Sequence, residues 1–485
     1  MTIDILPDVA LLEIFDFYLD SDDEDDMYPY YDPYVKDKLT AWYALVRVCR
    51  TWRNIVFGSP LRLKLRLYCV PHRTQVRKTI VAWPALPIVL VGDCDEIRDN
   101  EKWVDNIVAV FAHSDRICLL NFDEIRSWQL ERVLAEMQQP FPALTRLILR
   151  SKDGETAPVV PESFLGGSAP RLQVLFLDSI LFPGLPKLLL SATYLVRLHL
   201  WRIPHSGYIS PETMVTCLSV LTRLDQLTIR FESPQSRPNQ NSRRPPPPTR
   251  TLLPVLTRLS FKGASEYLED LVARIDTPQL DELWITFFHQ LIFDTPQLSQ
   301  FISRTPNFMT PDEVVEVFLE ISNGIAQVSI LSPFELVMRI SCRPSDWQLS
   351  FLTQMCNLSF LQGLIPGVEH LYIQDLPYLG SEPPWQDDIE GSQWLELLRP
   401  FTAVNDLYIS KKFVPLIAPA LQKLVGERAT EALPALRTLF LRETLSSGPV
   451  QEAAVLEATE QFVTARQLSG HPVAVSHWEE EGEHY

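Results

Sequence analysis

The sequence predicts an α/β protein. A small helical module opens the chain, and an irregular solenoid of strand–helix repeats follows, with a curved parallel sheet and helices on its convex side. Three observations predict this. Apolar residues fall at helical spacing in Leu11, Ile14, Phe15 and Tyr18, and again in Leu45, Val48, Cys49 and Trp52. From about residue 110 an L-x-x-L-x-L element, with apolar substitutes, returns along the chain. Amphipathic helical segments precede several of its copies. At 485 residues the chain exceeds one compact core.

Residues 6–19 read as the first helix. Pro7 suits a first turn, where its missing N–H is not needed. Asp8 complements the positive end of the helix dipole. The acidic run Asp20 to Asp26 and the tyrosine- and proline-rich run Met27 to Pro33 follow. Dense like charge and proline oppose regular structure, so 20–41 is expected to be a mobile insert. A second helical block covers 39–57 and ends at Gly58-Ser59-Pro60.

The repeat copies are Ile117/Leu120/Phe122, Leu144/Leu147/Leu149, Leu172/Leu175/Leu177, Leu195/Leu198/Leu200 and Leu224/Leu227/Ile229. They continue as Leu256/Leu259/Phe261, Leu280/Leu283/Ile285, Val368/Leu371/Ile373, Val404/Leu407/Ile409 and Leu436/Leu439/Leu441. Most neighbours lie 23 to 36 residues apart, as from 172 to 195 and from 368 to 404. The gap from 280 to 368 is expected to hide degenerate copies near Val328-Ser329-Ile330 and Val337-Met338-Arg339-Ile340. Pro142, Pro170, Pro254, Pro278 and Pro434 stand just before strands, where proline stops a helix. One strand and one helix cannot bury an apolar face alone, whereas stacked copies share a core.

This pattern resembles a leucine-rich-repeat solenoid. The usual asparagine after the last leucine is absent, since Asp178, Trp201 and Lys262 stand there, so irregular repeats are expected. The segment Ser233 to Arg250, with Arg243-Arg244 followed by the four consecutive prolines 245–248, reads as a stiff loop between repeats, with a docking motif for a proline-binding domain as the alternative. The expected organisation is 1–60 for the helical module, 61–110 for a linker and N-terminal cap, 111–465 for the repeats and 466–485 for an acidic tail.

Residues 6–19 and 42–57 resemble an F-box. The family's opening Leu-Pro matches Leu6-Pro7, and its helical apolar positions match Leu11, Leu12, Ile14 and Phe15. Its second half matches Leu45, Val48, Cys49 and Trp52. With C-terminal leucine-rich repeats, and with the run Trp52 to Pro60 and the segment Trp83 to Pro87, the chain is similar to fungal F-box families. The insert at 20–41 departs from the family, where a handful of residues join the helices. The resemblance implies a non-catalytic receptor subunit of an SCF-type (Skp–cullin–F-box) ubiquitin ligase. Its F-box would bind a Skp-type adaptor, and through it a cullin, by Leu6, Pro7, Leu11, Ile14, Leu45, Val48 and Trp52. Phe15 and Cys49 are equally well read as internal packing. The alternative is a repeat scaffold whose F-box-like start is idle.

Alternation along a strand places the residues flanking the motif leucines on the opposite, concave face. Arg146, Arg150, Arg197, Arg230, Arg258 and Lys262 gather there in the earlier repeats. Aromatic residues recur there too, at Phe176, Trp201, Trp284, Tyr372, Tyr408 and Phe440. Arginine forks pair with carboxylates and phosphates, and aromatics anchor interfaces, so this face is expected to take an acidic or phosphorylated protein segment. Otherwise a loop, the tail or the acidic insert covers it.

A net charge of −18 opposes broad nucleic-acid binding, which needs a basic surface. The seven scattered cysteines contain no C-x-x-C, which suits a reduced chain in cytoplasm or nucleus. No basic leader precedes an apolar run, and no stretch is long and apolar enough for a membrane span. Nucleotide-loop, H-E-x-x-H and G-x-S-x-G motifs are absent, so no enzyme and no cofactor is expected. His471 and His477 beside Glu479 to Glu481 have no metal-site spacing. Ser21, before acidic residues, resembles an acid-directed kinase site.

Overall fold

The structure, a computed structural model, describes residues 6–19, 40–70, 80–83, 85–93, 101–152, 157–238, 249–288, 295–309, 316–322, 324–341, 345–358, 361–375, 391–410, 412–424, 426–442 and 449–478. Ser21 and nearly all of the insert, the proline run 243–248 and Glu479 to Glu481 lie outside them. The chain divides into two units, Met1–Tyr208 with Val220–Leu224, and Ile209–Ser219 with Asp225–Tyr485.

The first unit opens with the helices Asp8–Leu19, Trp42–Val48 and Arg50–Gly58. The single block expected over 39–57 is therefore two helices. Cys49 is extended (φ −155°, ψ 175°), and its sulfur accepts the Trp52 N–H at 3.4 Å. Cys49 thus caps the second helix, and the Arg53 side chain donates to the Val46 carbonyl left over by the first, at 3.0 Å. Leu11, Phe15, Trp42, Leu45, Val46, Ile55 and Val56 fill the interior. Phe15 lies 4.7 Å from Trp52, and Trp83 lies 5.3 Å from both Trp42 and Tyr43. The Trp42 indole donates to the Arg66 carbonyl at 3.0 Å, tying the helices to the first strand.

Six parallel strands follow in sequence order: β1 (Leu67–Cys69), β2 (Ile88–Asp93), β3 (Ile117–Ile125), β4 (Arg146–Ser151), β5 (Val174–Asp178) and β6 (Arg197–Ile203). The sheet thus begins before the first motif copy, inside 61–110, the region expected to hold a linker and cap. β2 is buried on both faces, at Ile88 and Leu90 and at Val89 and Val91, so its apolar run shows no alternation. In most copies the motif's first residue closes a tight turn before its strand. Leu144, Leu172 and Leu195 each donate N–H to the carbonyl three residues earlier. The residue after it then carries the ladder, as where the Gln173 carbonyl accepts from Val196 and Arg197. Leu147, Leu149, Leu175 and Leu198 are fully or nearly fully buried, each contributing about 1.5–3 kcal/mol.

The second unit's sheet runs β7 (Gln226–Phe231), β9 (Arg258–Gly263), β11 (Glu282–Phe288), β14 (Glu335–Ser341), β13 (Ile325–Leu331), β12 (Glu316–Ser322), β15 (His370–Gln374), β16 (Asp406–Ile409), β17 (Thr438–Arg442) and β18 (Ala474–Trp478). A separate parallel pair joins β8 (Thr251–Leu252) to β10 (Ile275–Asp276). The gap between motif copies holds an antiparallel excursion, a departure from the all-parallel sheet. β12 and β14 pair antiparallel with β13, while β14 is parallel to β11 and β12 is parallel to β15. Antiparallel neighbours need only a short connection, so no helix and no pre-strand leucine is needed. Val337 to Ile340 lies in the parallel β14, whereas Val328 to Ile330 lies in the reversed β13.

Helices Pro211–Leu218, Ser265–Val272 and Pro296–Arg304 pack in succession, as do Ser345–Cys356, Gly391–Leu398, Val414–Gln422 and Pro449–Leu468. Glu269, buried on one helix, accepts from the Gln297 and Leu298 N–H groups at 2.9 and 2.8 Å and so caps its neighbour. Gly263 lets Phe231 and Phe261 close beneath β9, since a Cβ there would stand 2.6 Å from the Phe261 ring.

The expected acidic tail is instead structural as far as residue 478. Arg466, 0% exposed, donates to the carbonyls of Ala429, Leu433, Pro434 and Leu436 at 2.9–3.2 Å. It pins the last helix, and the chain then adds β18 parallel to β17. Cys69 and Cys356 are buried thiols, pushed up to about 12 by that burial. Among the described residues no helix is long and apolar enough to cross a membrane.

Candidate functional site

Two surfaces gather the residues singled out by the sequence. The first is the helical module. Leu11 (2% exposed) and Leu45 face its interior and support the surface from within. Leu6, Pro7, Ile14 and Val48 are exposed, and Trp52 is half-buried against Phe15. The exposed set is wider than the sequence suggested. Phe17 is 87% exposed, and Val9, Tyr18 and Leu61 are exposed as well. Ile14, Phe17 and Tyr18 stand at i, i+3 and i+4 on one helix, so they are neighbours.

The second surface is the face of the sheets opposite the motif leucines. The basic residues on it divide between the units: Arg146, Arg150 and Arg197 in the first, Arg230, Arg258 and Lys262 in the second. In the first unit Arg150 lies between Asp123, at 2.9 Å, and Asp178, at 3.4 Å. Asp178 also accepts both prongs of Arg202, at 2.6 and 3.0 Å. The Arg150 guanidinium sits 5.2 Å above the Phe176 ring, which Trp201 flanks at 5.6 Å. Phe176, Asp178 and His199 are buried in this layer rather than open to solvent. Arg146 and Arg197 are half-buried at the start of their strands.

In the second unit the registers arrange this face as transverse rows. One row is Arg230, Lys262, Thr286, Arg339, Gln327, Glu320 and Gln374, on β7, β9, β11, β14, β13, β12 and β15. Arg230 donates to the Ser260 hydroxyl at 3.0 Å, and Arg339 to the Gln327 amide oxygen at 2.6 Å. Glu320 accepts from Gln327, from the Ser329 hydroxyl at 3.1 Å and from Gln374 at 3.3 Å. Burial holds the Lys262 amine below its usual range, and the nearby Arg230 and Arg339 add to this, against an opposing pull from Glu232.

A neighbouring row ends in four stacked rings. Phe318 lies 4.5 Å from Tyr372, Tyr372 4.4 Å from Tyr408, and Tyr408 4.4 Å from Phe440, with interplanar angles of 9°, 12° and 3°. The Tyr372 hydroxyl donates to Glu316 at 3.4 Å. Burial raises the Tyr372 hydroxyl, and the Glu316 and Tyr408 side chains raise it further. Trp284, 39% exposed, is in the same row on β11. Arg258 is paired with Glu282 at 2.9 Å and His370 with Asp406 at 3.2 Å. Within the row through Lys262 the charges are therefore separated, with Arg230, Lys262 and Arg339 on β7, β9 and β14 and Glu320 on β12, while the stacked rings occupy β12 and β15 to β17.

Arg339 and Phe318 were missing from the sequence-derived set because both lie in the motif gap. Alternation within Val337 to Ile340 carries the signal for Arg339, and within Val317 to Ile321 the signal for Phe318.

No protein-family profile matches the chain. No curated protein matches it. Among solved structures, the leucine-rich repeat-containing protein LegL7 from Legionella pneumophila is 11% identical, and the likeness covers 81% of this chain and 97% of that one. Its TM-score is 0.25, too low to carry an argument, so the repeat architecture rests on the strand registers above.

Proposed function

We propose that this chain is the substrate-receptor subunit of an SCF-type ubiquitin ligase. Its helical module docks a Skp-type adaptor, and the polar face of its repeats holds a protein substrate. The observation that carries the reading is the apolar surface of the module. Phe17, Ile14, Tyr18, Val9 and Val48 are exposed on a unit whose core is already filled by Leu11, Phe15, Leu45, Val46, Ile55 and Val56. Large apolar side chains clustered on one small module mark an interaction site. The F-box resemblance of this module, whose matched positions include Ile14 and Val48, names the partner.

The test is capture of a purified Skp-type adaptor by the full chain and by an Ile14→Asp/Phe17→Asp variant. Both positions are exposed, so the variant keeps its fold and its Tm. Burying two charges in the interface is expected to weaken capture by about 30-fold or more. A well-folded wild type that captures no adaptor sinks the reading and leaves a repeat scaffold with an idle module.

A further inference from the structure

The sheet of the second unit ends at β18, and among the described residues no strand pairs with its outer edge. β18 matches β17 residue for residue, without a bulge. The Ala474 N–H donates to the Arg437 carbonyl at 2.8 Å. Alternate residues of a strand bond the same neighbour. Ala474 and Ser476 therefore serve β17, while the N–H and C=O groups of Val475 and His477 point outward. Natural edges are blunted by lysine, proline, a bulge or a covering element. The run Ala474-Val475-Ser476-His477 carries none of the first three. The helix before the strand, Pro449–Leu468, leaves the same end open. The Gln422 amide of the preceding helix donates to Gln461 at 2.6 Å, and Phe462 is buried. At about 100° per residue, Val463 faces away from that preceding helix, and Leu456, two turns back, stands in line with it. Leu456 is 63% exposed and Val475 43%. A solenoid's last repeat ordinarily shows a polar outer flank, whereas this flank is apolar.

We propose that this end is a dimer interface, at which β18 pairs antiparallel with β18 of a second copy. The outward groups decide the register. Val475 and His477 flank Ser476 symmetrically, so a two-fold axis at Ser476 sets Val475 of each copy opposite His477 of the other. Each such pair exchanges both N–H···O=C bonds, and Ser476 meets its own counterpart in the close, non-hydrogen-bonded position. Val475 and His477 are in register with Leu439 and Leu441, on the core side of the sheet. Their side chains therefore meet beneath the joined sheet, beside Leu456 and Val463 of the two last helices. Charge selects a second copy over an unrelated strand. Arg437 and His471, both exposed, stand just before the last two strands, and neither has an acidic partner among the described residues. Glu479 to Glu481 follow β18 in sequence. Antiparallel pairing carries each copy's acidic run past Arg437 and His471 of the other, whereas parallel pairing sets like charges side by side. The interface is independent of the receptor reading, and its test uses neither adaptor nor substrate.

The experiment is sedimentation equilibrium of the full chain at about 0.15 M salt, where repulsion between copies is screened beyond about 8 Å. Wild type is expected to form a dimer of the 55.6 kDa chain. Val475→Pro removes an outward donor and leaves the bonds to β17 in place. Leu456→Asp puts a charge on the open flank. Each is expected to raise the dissociation constant at least about tenfold. Leu468→Asp, also exposed but on the flank beside Gln461, is expected to leave it unchanged. Ser476→Cys places a thiol on the two-fold axis and is expected to form a symmetric disulfide under mild oxidation. Neither the wild type, with its seven cysteines, nor Ala474→Cys is expected to do so. A monomeric wild type at about 50 μM overturns the proposal. So does a dimer that both Val475→Pro and Leu456→Asp leave intact, or one in which Ser476→Cys does not cross-link. Should Val475→Pro fail to fold, Leu456→Asp and Ser476→Cys decide.

Discussion

Replacing Tyr408 by Leu removes the third of four stacked rings while keeping most of the apolar volume. Tyr408 lies 4.4 Å from both Tyr372 and Phe440, with planes within 12° and 3°. Each such contact is worth about 0.5–1.5 kcal/mol beyond area burial, so losing two costs about 1–3 kcal/mol. The register Tyr372, Tyr408, Phe440 means that the loss falls on β15 to β17. Amide hydrogen exchange by mass spectrometry reads it directly. Protected amides of β16 are expected to exchange roughly 5- to 150-fold faster. Tyr408→Phe keeps the stack and loses only the hydroxyl, so it is the control. Combining Tyr408→Leu with Phe440→Leu should return a coupling of about 0.5–1.5 kcal/mol. An acceleration under about twofold, or the same acceleration in Tyr408→Phe, refutes stacking as the source of stability.

Arg466→Met leaves buried carbonyls of 429, 433, 434 and 436 without their cationic donor, and is expected to cost about 3–5 kcal/mol in urea unfolding. A loss under about 1 kcal/mol would contradict that role. Lys262 predicts a pH dependence of definite sign. Its amine lies below the ordinary lysine value in the folded chain, so its charge costs stability in full below the folded pKa. The cost fades as pH rises through that pKa toward the unfolded value. Lys262→Met should therefore raise the Tm at neutral pH, with the gap to wild type narrowing in alkali, and a widening gap would contradict the argument.

Much of the repeat framework was legible because burying one face of a strand imposes a period of two, and Leu147/Leu149 or Leu407/Ile409 display it. Strand direction leaves no such mark, so the reversal at β13 was not. The buried faces of β12 to β14 carry Val317, Leu319, Val328, Ile330, Leu336 and Met338, which would suit a parallel strand equally well. β2 escaped because it is buried on both faces. The last strand, Ala474–Trp478, escaped because it has no leucine and precedes an acidic end. Alternation placed Arg146, Lys262 and Tyr408 on the polar face, but pairing is a tertiary matter. Nothing in the repeat spacing told that Arg150 is held by Asp123 and Asp178, or that Arg339 joins Lys262 through three adjacent strands. The break at Cys49 was hidden because helical spacing continues through it, from Leu45 to Trp52.

The central claim is that the exposed apolar residues of the N-terminal helices receive an adaptor. Hydrogen exchange of the full chain with and without a purified Skp-type adaptor tests it most directly. The account predicts that new protection is confined to peptides from 6–19 and 42–61, with the β7 to β18 strands unchanged. Protection that falls on the repeat strands instead, or no protection at saturating adaptor, contradicts it.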